Sequence, residues 1–177
     1  MDPIRYIIEL SSFWHIGSGV GSGNNEDAIV IVDDNGVPYI PGKSIKGLVK
    51  DSARLLNRSL KPPISIDNLF GIESDHYEGE GALKFSNAYP IAYDKIKEYP
   101  EIMKSSRRQI SMNEHNVAND QSLRKIQVIR PCKLIGEIDE IPDEPDDSRH
   151  VKKCLELIKF IGGNRTRGLG RCKVRVI

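Results

Sequence analysis

Two amphipathic segments, each set between short β-type runs, constrain the fold of this 177-residue chain more than any other feature. The first opens abruptly at Pro41-Gly42-Lys43-Ser44-Ile45-Lys46-Gly47. From there Ile45, Leu48, Val49, Ser52, Leu55 and Leu56 recur at helical spacing along one face, which is the expected core stripe, while Lys43, Lys46, Lys50, Arg54 and Arg58 fall near another. Pro62 and Pro63 cannot continue a helix, so this one is expected to end near Leu60. The second segment is marked by Val151, Cys154, Leu155, Ile158 and Ile161, with Gly162-Gly163 as its stop.

The β-type runs fall on either side of these helices. Ile4 to Leu10 reads as a strand, followed by a glycine-rich loop from Gly17 to Asn25. Ala28 to Val32 and Val37 to Ile40 flank Asp33-Asp34-Asn35-Gly36, a hairpin signal in which Asp33 and Asp34 read as turn residues. Gly81 to Ala88, Ile126 to Ile138 and Cys172 to Ile177 complete the set. Strand, helix, strand, taken twice, is the ferredoxin-like order of an α+β domain. Between the halves, from Pro90 to about Ile126, periodicity weakens and charge rises, as expected of a functional excursion more than a plain connector.

The formal net charge of +1 conceals segregation along the chain. Glu137 to Asp147 carries seven carboxylates and no base, whereas Arg149 to Arg175 carries nine Lys or Arg against Glu156 alone. A near-neutral total therefore does not exclude an RNA surface, although it argues against an indiscriminate polyanion binder. Cys132, Cys154 and Cys172 are far apart, without a Cys-x-x-Cys pair or a nearby His, and read as reduced, mostly buried thiols instead of zinc ligands. No apolar run approaches membrane-spanning length and the start lacks a secretion signal, so a soluble, cytoplasmic protein without a membrane partner is expected.

Two segments have the chemistry to hold phosphate. A helix start leaves backbone N–H groups unpaired at the positive end of the dipole, and here Lys43 and Lys46 add charge while Gly42 would let a sugar-phosphate backbone come close. Gly162-Gly163-Asn164-Arg165-Thr166-Arg167-Gly168-Leu169-Gly170-Arg171 combines glycines that permit tight turns with three forked arginine donors. A capped surface helix and a solvated turn would have the same local patterns. The loop is not a dinucleotide fingerprint, because it closes a helix and opens a strand.

Val37-Pro38-Tyr39-Ile40-Pro41-Gly42-Lys43-Ser44-Ile45-Lys46-Gly47-Leu48 resembles the YIPGSSLKGAL segment of the RAMP superfamily, the repeat-associated proteins of CRISPR effector complexes. The loop from Gly162 to Arg171 is similar to that superfamily's GGxxxxGxGR signature. His15-Ile16-Gly17-Ser18-Gly19, and Leu69-Phe70-Gly71 before Gly81 to Phe85, are lesser matches in the same order, so the resemblance spans nearly the whole chain. Within the superfamily the chain looks most like the backbone subunit of type III (Csm/Cmr) complexes.

That resemblance implies a single domain over 1–177, with an RNA-recognition-like palm formed by 1–89 and 127–177 and a thumb-like insertion at about 90–126. It implies guide RNA, target RNA, further copies of the chain and other effector-complex subunits as partners. RNA contacts would fall to Gly42, Lys43, Ser44, Lys46, Lys50, Arg54, Gly163, Arg165, Arg167 and Arg171, with Arg107 and Arg108 in the thumb. Asp27 matches the loop carboxylate that cuts target RNA with Mg²⁺ or another divalent cation, where Gly23-Asn24-Asn25-Glu26 stands in place of the family's glycine pair. A carboxylate of this kind suits attack by the RNA's own 2′-OH, which needs a base or a metal at that hydroxyl. Two other readings stay open: a non-catalytic, structural RNA-binding subunit, and a guide-processing endoribonuclease with His15 as its base; between Trp14 and Ile16 at a strand end, His15 is better suited to packing or to an RNA contact.

Overall fold

The computed structural model describes residues 2–19, 28–61, 63–74, 77–109, 124–139 and 145–177. In chain order its elements begin with β1 (Ile4–Leu10), α1 (Gly42–Leu56), α2 (Ile66–Phe70), β2 (Ile72–Ser74), β3 (Tyr77–Gly79), β4 (Lys84–Phe85) and β5 (Tyr89–Pro90). They continue with α3 (Tyr93–Ile96), a 3-10 turn at Pro100–Met103, β6 (Lys104–Gln109), β7 (Arg124–Ile129), β8 (Lys133–Asp139), α4 (Pro145–Leu157), a second 3-10 turn at Arg165–Arg167, and β9 (Cys172–Val176).

β1 alternates because one side of it is core: Ile4, Tyr6, Ile8 and Leu10 are buried, while Arg5 and the residues between them reach towards solvent. It lies in the middle of the main sheet, whose order is β4-β8-β1-β9 with β5 also paired to β8, and every pairing is antiparallel. Together with the chain order of α1 and α4, this is the ferredoxin-like arrangement expected from the sequence. α1 and α4 pack together. Ile45, Val49 and Ala53 from α1 and Val151, Cys154 and Leu155 from α4 join Tyr6, Ile8, Leu134 and Ile138 in one continuous core.

Several elements differ from the sequence reading. The buried face of α1 is Gly42, Ile45, Val49 and Ala53, so Ile45 and Val49 of the expected stripe enter the core, Leu48 and Leu56 pack against its edge, and Leu55 is 54% exposed. α1 ends at Leu56, a turn before the prolines, because Asn57 closes a two-way clamp: Ile64 N–H donates to Asn57 Oδ1 at 2.8 Å, and Asn57 Nδ2 donates to Ile64 O at 2.9 Å. The Asp33–Gly36 turn forms, with Asp33 Oδ1 accepting from Asn35 and Val37 N–H groups at 3.0 and 2.9 Å. Its arms make only the Val32–Pro38 bridge with each other; Val30 instead bridges Gly17, Ala28 bridges Ile126 and Ile40 bridges Ala88. α4 begins earlier than expected, so Asp146 and Asp147 fall in its first turn, where the helix dipole favours carboxylates. It also ends before Gly162.

The polar excursion is folded at its base. β6 and β7 pair from Lys104–Ile129 to Gln109–Arg124, making a two-stranded ribbon between the halves of the palm. Its second strand runs past Ile126 to Ile129, and Pro131 stands between it and β8, so the expected single run from Ile126 to Ile138 is two strands. Ile126 and Val128 leave the main core to form a second cluster with Leu169, against which Phe13 and Ala28 pack.

Candidate nucleic-acid interface

Pro41 turns the chain into α1 with no side-chain cap, and the first donors are used within the protein. Gly42 N–H reaches Asn87 Oδ1 at 3.0 Å, and Ser44 N–H bonds Pro41 O at 2.9 Å. A side chain at residue 42 would collide with the Phe85 carbonyl, so the glycine admits β4 and not, as expected, a sugar-phosphate backbone. The anion-binding capacity of this helix start therefore lies mainly in its side chains.

Those side chains leave α1 on two sides. Lys43, Lys46 and Lys50 line a cleft of about 680 Å³ with Gly47, opposite Gly71 and Ile72, and Lys50 Nζ is fixed by donating to Gly71 O at 3.0 Å. Arg54, one turn further, bonds Asp51 at 3.2 Å, an exposed pair of small energetic weight. It is not among the residues that line this cleft. On the other side, Ser44 and Leu48 line a cleft of about 270 Å³ with Gly17, Gly162, Gly163 and Arg165. The two phosphate-type segments of the sequence thus meet across one opening.

Backbone bonds fix the arginine loop in place. Ile161 N–H donates to Gly170 O at 2.8 Å, Gly163 N–H to His15 O at 2.8 Å and Gly170 N–H to Phe13 O at 2.7 Å. Arg171 N–H donates to Ser12 Oγ at 2.9 Å. Asn164 and Gly168, both left-handed at φ 56° and 79°, bracket the 3-10 turn that carries Arg165 and Arg167. Arg165, Arg167 and Arg171 are all exposed.

His15 is buried, and its Nδ1 lies 2.7 Å from Gln127 O. A carbonyl only accepts, so Nδ1 carries the hydrogen of this bond, and Nε2 lies on the side of Gly17. The residue links β7 to the arginine loop, since its ring bonds one and its carbonyl the other. In the ribbon, Arg107 stacks over the Phe13 ring at 4.6 Å, and Arg108 is exposed opposite Lys125. Asn87, Gln127 and Phe13 are the site-building residues that sequence reasoning missed.

Asp27 lies outside the described residues, as does most of the glycine-rich loop. Among the described residues, no group of three or more His, Cys, Asp or Glu side chains could hold a metal ion. Burial pushes the Cys132, Cys154 and Cys172 thiols up to about 11, which leaves them protonated and poorly nucleophilic at neutral pH. No described helix is long and apolar enough to cross a membrane.

The model of the RAMP superfamily matches residues 7–173. No curated protein matches the sequence significantly. Among solved structures, a chain of the type III-B Cmr-beta complex bound to cognate target RNA, seen by cryo-EM, aligns with TM-score 0.74 and 12% identity, covering 99% of this chain and 97% of that one. A chain of the same complex in its apo state aligns with TM-score 0.71 and 13% identity, over 99% and 97% of the two chains. At these identities the likeness is one of fold.

Proposed function

The chain belongs to the RAMP superfamily, and on that premise we propose that it is a guide-RNA-binding backbone subunit of a type III CRISPR antiviral effector complex, working with target RNA, further copies of itself and other subunits in the cytoplasm. The observation that carries the RNA contact is the shared opening between Ser44, Gly17, Gly163 and Arg165, with the lysines of α1 on the helix's opposite flank. Backbone glycines allow a strand to come close, while the arginine forks suit phosphate oxygens. Contacts of this kind read backbone and not base edges, so binding is expected to depend on salt more than on sequence.

Within the complex we assign target cutting to Asp27 with a divalent cation, on its place in the sequence alone. The alternative His15 mechanism is less favoured, because the ring is buried and its Nδ1 already holds a structural bond. The test is RNA binding over a salt series for wild type, Lys46→Ala and Arg165→Ala. Each variant should bind more weakly and lower the salt slope by about one. Unchanged affinity and slope in both would reject the interface. Asp27→Ala in the assembled complex should cut target at least about a hundredfold more slowly while guide binding persists, and wild-type cutting by the variant would reject Asp27.

A further inference from the structure

We propose that the lysine cleft on the outer flank of α1 holds a nucleotide of the bound single strand, its base lying on the open helix backbone at Gly47. This rests on the RNA-binding reading above and deepens it. A glycine inside a helix is less stable than alanine there, so its presence asks for a reason. At Gly42 the reason is internal, because a Cβ there would run into the Phe85 carbonyl. At Gly47 the described residues supply none: the residue is exposed, and a Cβ would meet none of their atoms within 4 Å.

What Gly47 does face is the cleft of about 680 Å³, within the size range of small-ligand sites. Its lining sets the chemistry of the occupant. Among the described residues that line it, Lys43, Lys46 and Lys50 supply three cations and Glu80 a carboxylate, which is itself paired with Lys84 at 3.1 Å. The lysines extend over roughly 10 Å of helix axis, longer than one phosphate group, which favours successive phosphates of a strand over a single anion. Lys50 is anchored on Gly71 O and keeps two of its three donors for a ligand. Ile72, 40% exposed on the facing wall, offers an apolar surface to a flat ring, and a missing side chain at residue 47 lets that ring approach the helix.

The experiment compares wild type, Gly47→Ala, Gly47→Leu and Arg165→Ala in the full chain, with a single-stranded RNA oligonucleotide carrying 4-thiouridine. Thermal midpoints are recorded alongside, and neither Gly47 variant should lower them, since both replace glycine by a better helix former at an open position. Gly47→Leu is expected to weaken RNA binding by about tenfold, the scale of one lost base contact, with Gly47→Ala in between. Photo-crosslinks in the wild type should map to the peptides that hold Lys43 to Lys50 or Gly71 to Glu80, and Gly47→Leu should abolish them. If Gly47→Leu binds and crosslinks like wild type while Arg165→Ala binds weakly, the nucleotide slot is wrong and the RNA interface stands. If neither variant changes binding, both fail.

Discussion

Gly162 shows how a single missing side chain seats the arginine loop against the His15 segment. Its φ of +89° lies in the left-handed region, and a Cβ would collide with the His15 carbonyl, the same oxygen that accepts from Gly163 N–H. Gly162→Ala should therefore cost about 2–3 kcal/mol and displace the arginine loop from the His15 segment. Gly168, at φ +79° with open space around it, supplies the control: alanine there should cost only about 1 kcal/mol. Urea midpoints for the two variants check the contrast, and a Gly162→Ala protein as stable as wild type would show that the loop is not held this way. At this scale Ser44 and Arg165, both singled out from the sequence, line one cleft. The sequence was silent at Asn87, whose side chain accepts from Gly42 45 positions away, and at Gln127, whose backbone carbonyl holds the His15 ring 112 positions away.

Helix α1 was legible as an element but not in its orientation. Periodicity locates a stripe of apolar residues, of which Ile45 and Val49 join Ala53 in the core, while Leu48 and Leu56 pack at its edge and Leu48 and Leu55 also border a cleft shared with Leu157 and Phe160 near the end of α4. The β6–β7 ribbon was harder to see. Lys104-Ser105-Ser106-Arg107-Arg108-Gln109 has no apolar alternation, and its strand form depends on pairing with β7, whose Ile126 and Val128 bury themselves against Leu169. The end of α1 belongs to the same class of non-local effects, because Asn57 substitutes for a proline stop. Asn57→Ala would leave the Ile64 N–H and C=O without their partners and should destabilise the protein by about 1–3 kcal/mol. Asn57→Asp keeps the acceptor and loses the donor, so it should fall between the two. Equal stability of all three proteins in urea would remove the clamp as the cause of the early stop.

Across the whole molecule, the ferredoxin-like sheet gives one face to the helices and buries cysteine thiols in the process. Cys154 and Cys172 belong to the main core and Cys132 packs against it. Burial pushes all three thiols from an ordinary 9.0 up to about 11, and it raises the phenol of Tyr6 as well. The folded state then holds protons that the unfolded chain gives up at lower pH. Because the folded pKa is the higher one, the stabilising contribution is complete below about pH 9 and is lost as pH climbs towards 11. Unfolding free energy measured in urea from pH 8 to pH 11 should accordingly fall, with the acidic side of that range flat. Cys154→Ala should start from a lower value at pH 8, since a buried side chain is trimmed, and descend less steeply, since one of the linked protons is gone. The difference between the two curves isolates the thiol from lysines that titrate in the same region. Parallel curves would mean that Cys154 is as solvated in the folded protein as in the unfolded one, and that α4 does not seal the core against the sheet.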